Sequence, residues 1–281
     1  MTDNRTVLVT GATGNQGGAT ARALVERGWT VRALVRTPDS PAAQDLRALG
    51  VELVRGDLND AASLREATAG AYGVFSVQPL AYEPETLAAE VRQGKAVADA
   101  AAGADVRHLV YSSVGGAERR TGIDHFESKA EIEAHIRALG LPATILRPVF
   151  FMDNLLHYAD AEGERVMELP VLPDRPVQMI ATADIGRIAA AAFDEPAGFL
   201  DAELEIAGDE LPFARVAEIY QEASGVPTRL IPLPIEERMF EWFAEEGYEA
   251  DLAALRERFP GLLTFEEFLT ERLAPAARRP A

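Results

Sequence analysis

The chain has 281 residues, 48% apolar and 26% charged, with a mean hydropathy of -0.04 and a formal net charge of -18. That is the balance of an ordinary folded domain, with no run long enough to span a bilayer, and the lack of cysteine excludes disulfides, thiolate metal sites and cysteine nucleophiles. The acidic charge disfavours direct contact with nucleic acid or anionic membrane, the more so as residues 201–281 carry 18 acidic against 8 basic side chains.

In chain order, strands are predicted at Thr6–Thr10, Thr30–Val35, Val51–Arg55, Gly73–Val77, His108–Ser112 and Thr144–Arg147. Helices fall between them, near Gly17–Arg27, Pro41–Leu49, Ala61–Ala69, Glu85–Ala102 and Phe126–Leu139. Alternation of this kind builds βαβ units, so the expected fold class is α/β, a Rossmann-type doubly wound parallel sheet. After Arg147 the texture changes. Pro148, Pro170, Pro173 and Pro176 suggest an irregular segment, a helix at Asp184–Phe193 and a strand at Ala202–Ile206 suggest a return to the sheet, and Leu211–Leu273 reads as mostly helical. The expected domains are therefore 1–150, with 180–207 returning to its sheet, and a smaller substrate-side subdomain from 151–179 and 208–281. The aromatics Phe240, Trp242 and Phe243 fit a helix core, and Ala274–Ala281 reads as a frayed tail. The opening residues, MTDNRTVLVTGATG, lack a leader-like apolar segment, so a cytoplasmic protein is expected.

The strongest motif is Thr10-Gly11-Ala12-Thr13-Gly14-Asn15-Gln16-Gly17, directly after an apolar strand and directly before a helix. Gly11 permits the tight turn, Gly14 lets backbone approach a pyrophosphate, and Gly17 lets the helix pack on the sheet. The helix start offers free N–H groups and a positive dipole end, with Thr13, Asn15 and Gln16 beside them. At the tip of the second strand, where NAD-specific sites carry a carboxylate, stands Arg36. A guanidinium there can fork onto a 2′-phosphate, so NADP(H) is expected in preference to NAD(H). Arg32 is the neighbouring surface candidate. Asp57 either accepts from an adenine amino group, with Leu58 packed on the ring, or caps the helix that follows. Val77 and Gln78 end the fourth strand, where the chain must pass the cofactor.

With Gly11–Gly18, Arg36, Gly56-Asp57-Leu58, Tyr111-Ser112-Ser113, His125-Phe126-Glu127-Ser128-Lys129 and Arg147-Pro148-Val149-Phe150-Phe151-Met152-Asp153-Asn154, the chain resembles the NmrA-like branch of the atypical short-chain dehydrogenases. In the wider superfamily a serine after the fifth strand and a Tyr-x-x-x-Lys on the next helix do the chemistry. The resemblance then implies Ser112 or Ser113 (we favour Ser113) in the serine place and Lys129 in the lysine place, with His125 replacing the tyrosine. Lys129 is one of two lysines, Lys95 being the other, and is read as a ribose contact rather than a solvated helix charge. His125 is either a catalytic acid, since imidazole titrates near neutrality, or a helix-start residue with local hydrogen bonds.

The resemblance implies an NADPH-dependent reductase of a quinone or other small carbonyl compound. The alternative it leaves open is an NADP(H)-responsive redox sensor acting through a regulatory protein partner, without catalysis. No metal is expected. The substrate pocket is expected over the strand C-termini, walled by Ser113, His125, Phe150, Phe151 and Asn154, with Phe150 also touching the cofactor. The other reading of Phe150 and Phe151 is plain core.

Overall fold

Apolar strands buried on both faces alternate with helices that bury one, and this pattern sets the element order. The computed structural model describes residues 5–273 apart from 159 and 162. It opens with β1 (Thr6–Val9), α1 (Asn15–Glu26), β2 (Thr30–Val35), α2 (Pro41–Ala48), β3 (Glu52–Arg55) and α3 (Ala61–Thr68). Next come β4 (Gly73–Ser76), α4 (Pro84–Gly103), β5 (His108–Ser112), α5 (Asp124–Leu139) and β6 (Ala143–Pro148). There follow β7 (Phe150–Phe151), β8 (Asp160–Ala161), β9 (Glu164–Leu169), β10 (Pro176–Ile180), α6 (Thr182–Asp194), β11 (Glu203–Ile206) and β12 (Asp209–Pro212). The last described elements are α7 (Phe213–Ser224), β13 (Thr228–Pro232), α8 (Arg238–Glu245), α9 (Leu252–Arg258) and α10 (Phe265–Leu273). The tail expected at Ala274–Ala281 lies outside the described residues.

Two compact units emerge, Met1–Arg147 with Ile185–Leu204, and Pro148–Asp184 with Glu205–Ala281. The first holds a seven-stranded sheet in the order β11-β6-β5-β4-β1-β2-β3, parallel in every pairing from β3 to β6. The expected doubly wound α/β sheet is thus present. Its central strands are buried along their whole length, as a sheet covered on both faces requires, while the edge strand β3 is half exposed. Strand order reverses between β1 and β4, so the loops after these two strands flank the crevice where such sheets take ligands.

The second unit differs from the sequence reading. The segment expected to be irregular contains β9 and β10, and the segment expected to be mostly helical opens with β12 and includes β13. These form two three-stranded sheets, β12-β10-β7 and β13-β9-β8. Proline did not prevent this. Pro176 is the first residue of β10 and pairs with Pro212, the last of β12, where a missing N–H costs least. Phe213, Phe265, Phe268, Met167 and Met179 fill the core beneath. No helix among the described residues is long and apolar enough to cross a membrane.

Within β5, His108 is fully buried. Its Nε2 donates to Thr144 Oγ1 (2.7 Å), because the threonine's own proton goes to the Phe199 carbonyl (2.7 Å). Nδ1 has no partner, and burial lowers the group from 6.5 to about 4. The unfolded chain therefore binds a proton near pH 6.5 that the folded chain refuses until about 4. This contribution to stability is intact above pH 6.5 and falls as pH drops through that window. The expected loss from pH 7 to pH 4 is roughly 3 kcal/mol from this group, read by chemical denaturation. His108→Gln keeps a donor toward Thr144 and should flatten the slope; a variant slope as steep as the wild type's would sink the assignment.

Candidate functional site

Helix α1 begins at Asn15, two residues earlier than the sequence suggested, which makes Gly14 its N-cap. Gly14 has no side chain to cap the first turn, and no acidic residue occupies that turn. The first-turn N–H groups and the positive end of the dipole therefore face outward, with Gly11, Thr13, Gly14 and Asn15 exposed around them. Gly11 is left-handed (φ 60°), and a Cβ there would meet Val77 Cγ1 at 2.7 Å. A Cβ on buried Gly17 would stand 2.3 Å from the Gly11 carbonyl oxygen. Thr10 clamps the turn from below: its Oγ1 donates to the Val77 carbonyl and accepts from the Val77 N–H, both at 2.9 Å. The loops after β1 and β4 are thus fixed to each other.

At the tip of β2, Arg36 is exposed and makes no ion pair among the described residues. Its charge reaches Asp57, whose pKa is lowered chiefly by the Asn59 N–H, and also by the Asn59 amide and by Arg36. Asp57 Oδ1 accepts from both Asn59 groups (2.8 and 2.9 Å), so it shapes the turn after β3. The cap of α3 is Asp60, which accepts from the Ala62 N–H (2.9 Å); capping by Asp57 is thereby corrected. Leu58 packs half-buried on the core. Arg32, by contrast, is spent on Glu52 and on the Ala67 and Ala69 carbonyls at the sheet edge. Gln78 Nε2 donates to Ser76 Oγ (3.0 Å), while its buried Oε1 has no partner.

Parallel register sets Ser76 beside Tyr111, and α4 and α5 cover that face with charge. Glu90 and Glu133, each 1% exposed, were not singled out in the sequence; a lone Glu in a helical pattern reads as a solvated face, and only tertiary packing buries it. Lys129 Nζ donates to Glu90 Oε1 (2.5 Å), and Ser128 Oγ donates to Glu90 Oε2 (2.6 Å). The solvated-charge reading of Lys129 is thereby removed: it is 8% exposed and paired. Tyr111 Oη has no partner, and burial, then Glu90 and Glu133, raise its pKa well above 10.

Two residues singled out in the sequence have partners of their own here. Ser113 Oγ donates to Glu133 Oε1 (2.6 Å), and Glu133 is itself forked by Arg147 (3.0 and 2.7 Å) and held by Arg137 (2.7 Å). Ser113 therefore belongs to a network tying β5, α5 and β6 together, whereas Ser112 donates to Gln16 Oε1 of the glycine loop (2.6 Å). His125 sits in the first turn of α5 under the Tyr82 ring (5.4 Å). Burial, and then the Lys129 charge, lower its pKa to about 4, so at pH 7 it is a neutral imidazole with a bare Nδ1.

In the second unit Phe150 is half-buried on β7, edge-on to Phe213 (5.7 Å) and Phe243 (6.5 Å). Phe151 is half-buried beside it, and Asn154 is exposed in the short 3-10 turn that follows. Between them Asp153 is structural: it accepts from the Thr182 N–H (2.8 Å), Thr182 Oγ1 (2.9 Å) and Arg272 (2.9 Å), fixing the start of α6 to α10. Among the described residues no cluster of three or more His, Asp or Glu could hold a metal. A surface groove of about 340 Å³ between α3 and α4 lies around their C-terminal ends, lined by Arg65, Thr68 and Asp99, away from the glycine loop.

Comparison with known proteins agrees with this architecture. An NAD(P)H azoreductase of Xenophilus azovorans is 32% identical over 232 residues, covering 82% of this chain and 78% of that protein. The structure of Citrobacter sp. triphenylmethane reductase, complexed with NADP(H), superposes with a TM-score of 0.81 at 22% identity, over 95% of this chain and 99% of the other. NmrA, a negative transcriptional regulator solved in complex with NAD, superposes at 0.79 and 20% identity over 95% of each chain. Residues 3–269 match the NmrA-like family, and the chain belongs to it.

Proposed function

We propose that the protein is an NADPH-dependent reductase of a quinone or other small carbonyl compound. The carrying observation is the uncapped, acid-free start of α1 together with the exposed Arg36, which offers an anion two binding elements with no competing ion pair among the described residues. The buried Oε1 of Gln78, without a partner at the end of β4, fits a ligand group on the same side. When bound, the dinucleotide supplies hydride. Gly11, Thr13, Gly14, Asn15, Gln16 and Gly17 hold its pyrophosphate, Arg36 its 2′-phosphate, and Asp57 with Leu58 its adenine. Val77, Gln78 and Lys129 serve the nicotinamide half. The azoreductase and triphenylmethane reductase relatives support a small-molecule substrate.

The protonation step falls to Lys129 or water, since neutral His125 has no imidazolium proton to give. That same neutrality favours a second reading, a nucleotide-responsive regulator acting through a protein partner; the NmrA neighbour is a negative transcriptional regulator. The two separate in one assay. NADPH oxidation is followed against a panel of quinones and aldehydes. Under the reductase reading at least one substrate turns over, Lys129→Ala lowers the rate by about tenfold or more, and His125→Ala changes it little. Tight NADPH binding with no turnover across the panel would leave the regulator.

A further inference from the structure

We propose that Glu90 is a positioning residue: its buried carboxylate holds the Lys129 ammonium so that the remaining N–H groups are presented to the nicotinamide-side ribose of a bound dinucleotide. This rests on the nucleotide reading above. Glu90 is 1% exposed and Lys129 8%, and neither has another charged partner among the described residues. A charge so placed is strongly disfavoured without its counterion, so the two are bound to one geometry. Ser128 Oγ takes the second carboxylate oxygen (2.6 Å) and stops the carboxylate from turning away. One ammonium proton is committed to Glu90 and two remain.

The backbone is shaped for this pair. Gly94, one turn beyond Glu90 on α4, sits where a Cβ would meet Ile132 Cδ1 at 2.5 Å and its Cγ1 at 2.8 Å. Ile132 lies one turn beyond Lys129 on α5. A glycine inside a helix is destabilising relative to alanine, and here it lets the two helices close until the Glu90 carboxylate reaches the lysine. A second bridge, Lys95 to Glu131 (2.6 Å), joins the same helices at the surface, so both lysines of the chain pair across α4 and α5. The buried one alone sits beside His125, whose pKa feels both Lys129 and Glu90.

The test compares two probes by fluorescence or calorimetric titration: NADPH, and adenosine 2′,5′-bisphosphate, which lacks the nicotinamide ribose. Glu90→Gln should weaken NADPH about tenfold, the loss of one charge-assisted contact, and leave the bisphosphate within about twofold. Glu90→Asp, which withdraws the carboxylate by one methylene, should show the same one-sided pattern to a smaller degree and serves if the Gln variant does not fold. Glu90→Gln added to Lys129→Ala should cost nothing further for NADPH. Equal weakening of both probes, no weakening of either, or additive losses in the double variant would overturn the proposal. Unchanged NADPH affinity in Lys129→Ala would overturn the ribose contact and the role of Glu90 with it. Failure of the wild type to bind either probe marks instead the failure of the nucleotide reading.

Discussion

Gly14→Val is expected to abolish dinucleotide binding while the chain still folds. The two halves of that expectation have separate causes. Gly14 has φ -100° and ψ -177°, an extended backbone that any residue adopts, and it is exposed. A Cβ there would lie 3.3 Å from the Gly11 carbonyl oxygen, a contact relieved by a few tenths of an ångström. The folded chain alone thus places little demand on glycine at this position; replacing glycine by valine at an N-cap costs about 1 kcal/mol. A pyrophosphate demands far more, because it must approach the first-turn N–H groups within hydrogen-bond distance, and a branched side chain stands over them. Gly17→Ala makes the contrast, since its Cβ would fall 2.3 Å from the Gly11 oxygen and the loop itself must give way. Circular dichroism and thermal melts report the fold, and titration with NADPH reports the site. A folded Gly14→Val that keeps near-normal affinity would show that the ligand lies elsewhere.

Arg36→Asp is expected to move the NADPH over NADH preference by tenfold or more. Arg36 is exposed, has no ion pair among the described residues, and is close enough to Asp57 to lower its pKa. A charge-assisted contact to a phosphate is worth roughly 1.5–3 kcal/mol, which corresponds to about tenfold or more in relative affinity. The substituted carboxylate both removes that contact and repels the 2′-phosphate, while it can accept from a 2′-hydroxyl. The loss should therefore appear in NADPH affinity, with NADH affinity held or improved. Arg32→Ala is the matching control: its guanidinium is engaged at the sheet edge, so it should alter stability and leave the preference alone. An unchanged ratio in Arg36→Asp would remove Arg36 from the site.

The first unit was legible because its information is local. Each of β1, β2, β4 and β5 is an apolar run whose neighbours along the chain are also its neighbours in βαβ units, and the glycine loop reports its own backbone geometry. Misplaced ends, such as α1 starting at Asn15 and α5 at Asp124, reflect first turns whose residues carry little apolar signal. The second unit was not legible in the same way. Strand β13 pairs with β9, more than sixty residues earlier, and β7 has two residues, so neither run shows a pattern long enough to read.

The sequence by itself determined the sheet, the glycine turn after its first strand and the arginine at the second strand's tip, because turn geometry and strand alternation follow from the residues in order. Only the tertiary structure decided the charges inside. Lys129 became one half of a buried pair because α4 brings Glu90 to it, Ser113 joined the Glu133–Arg147 network, and burial and the lysine beside it lower the pKa of His125. Protonation and pairing depend on desolvation and on partners far away in the chain, and neither is written in the spacing of a motif.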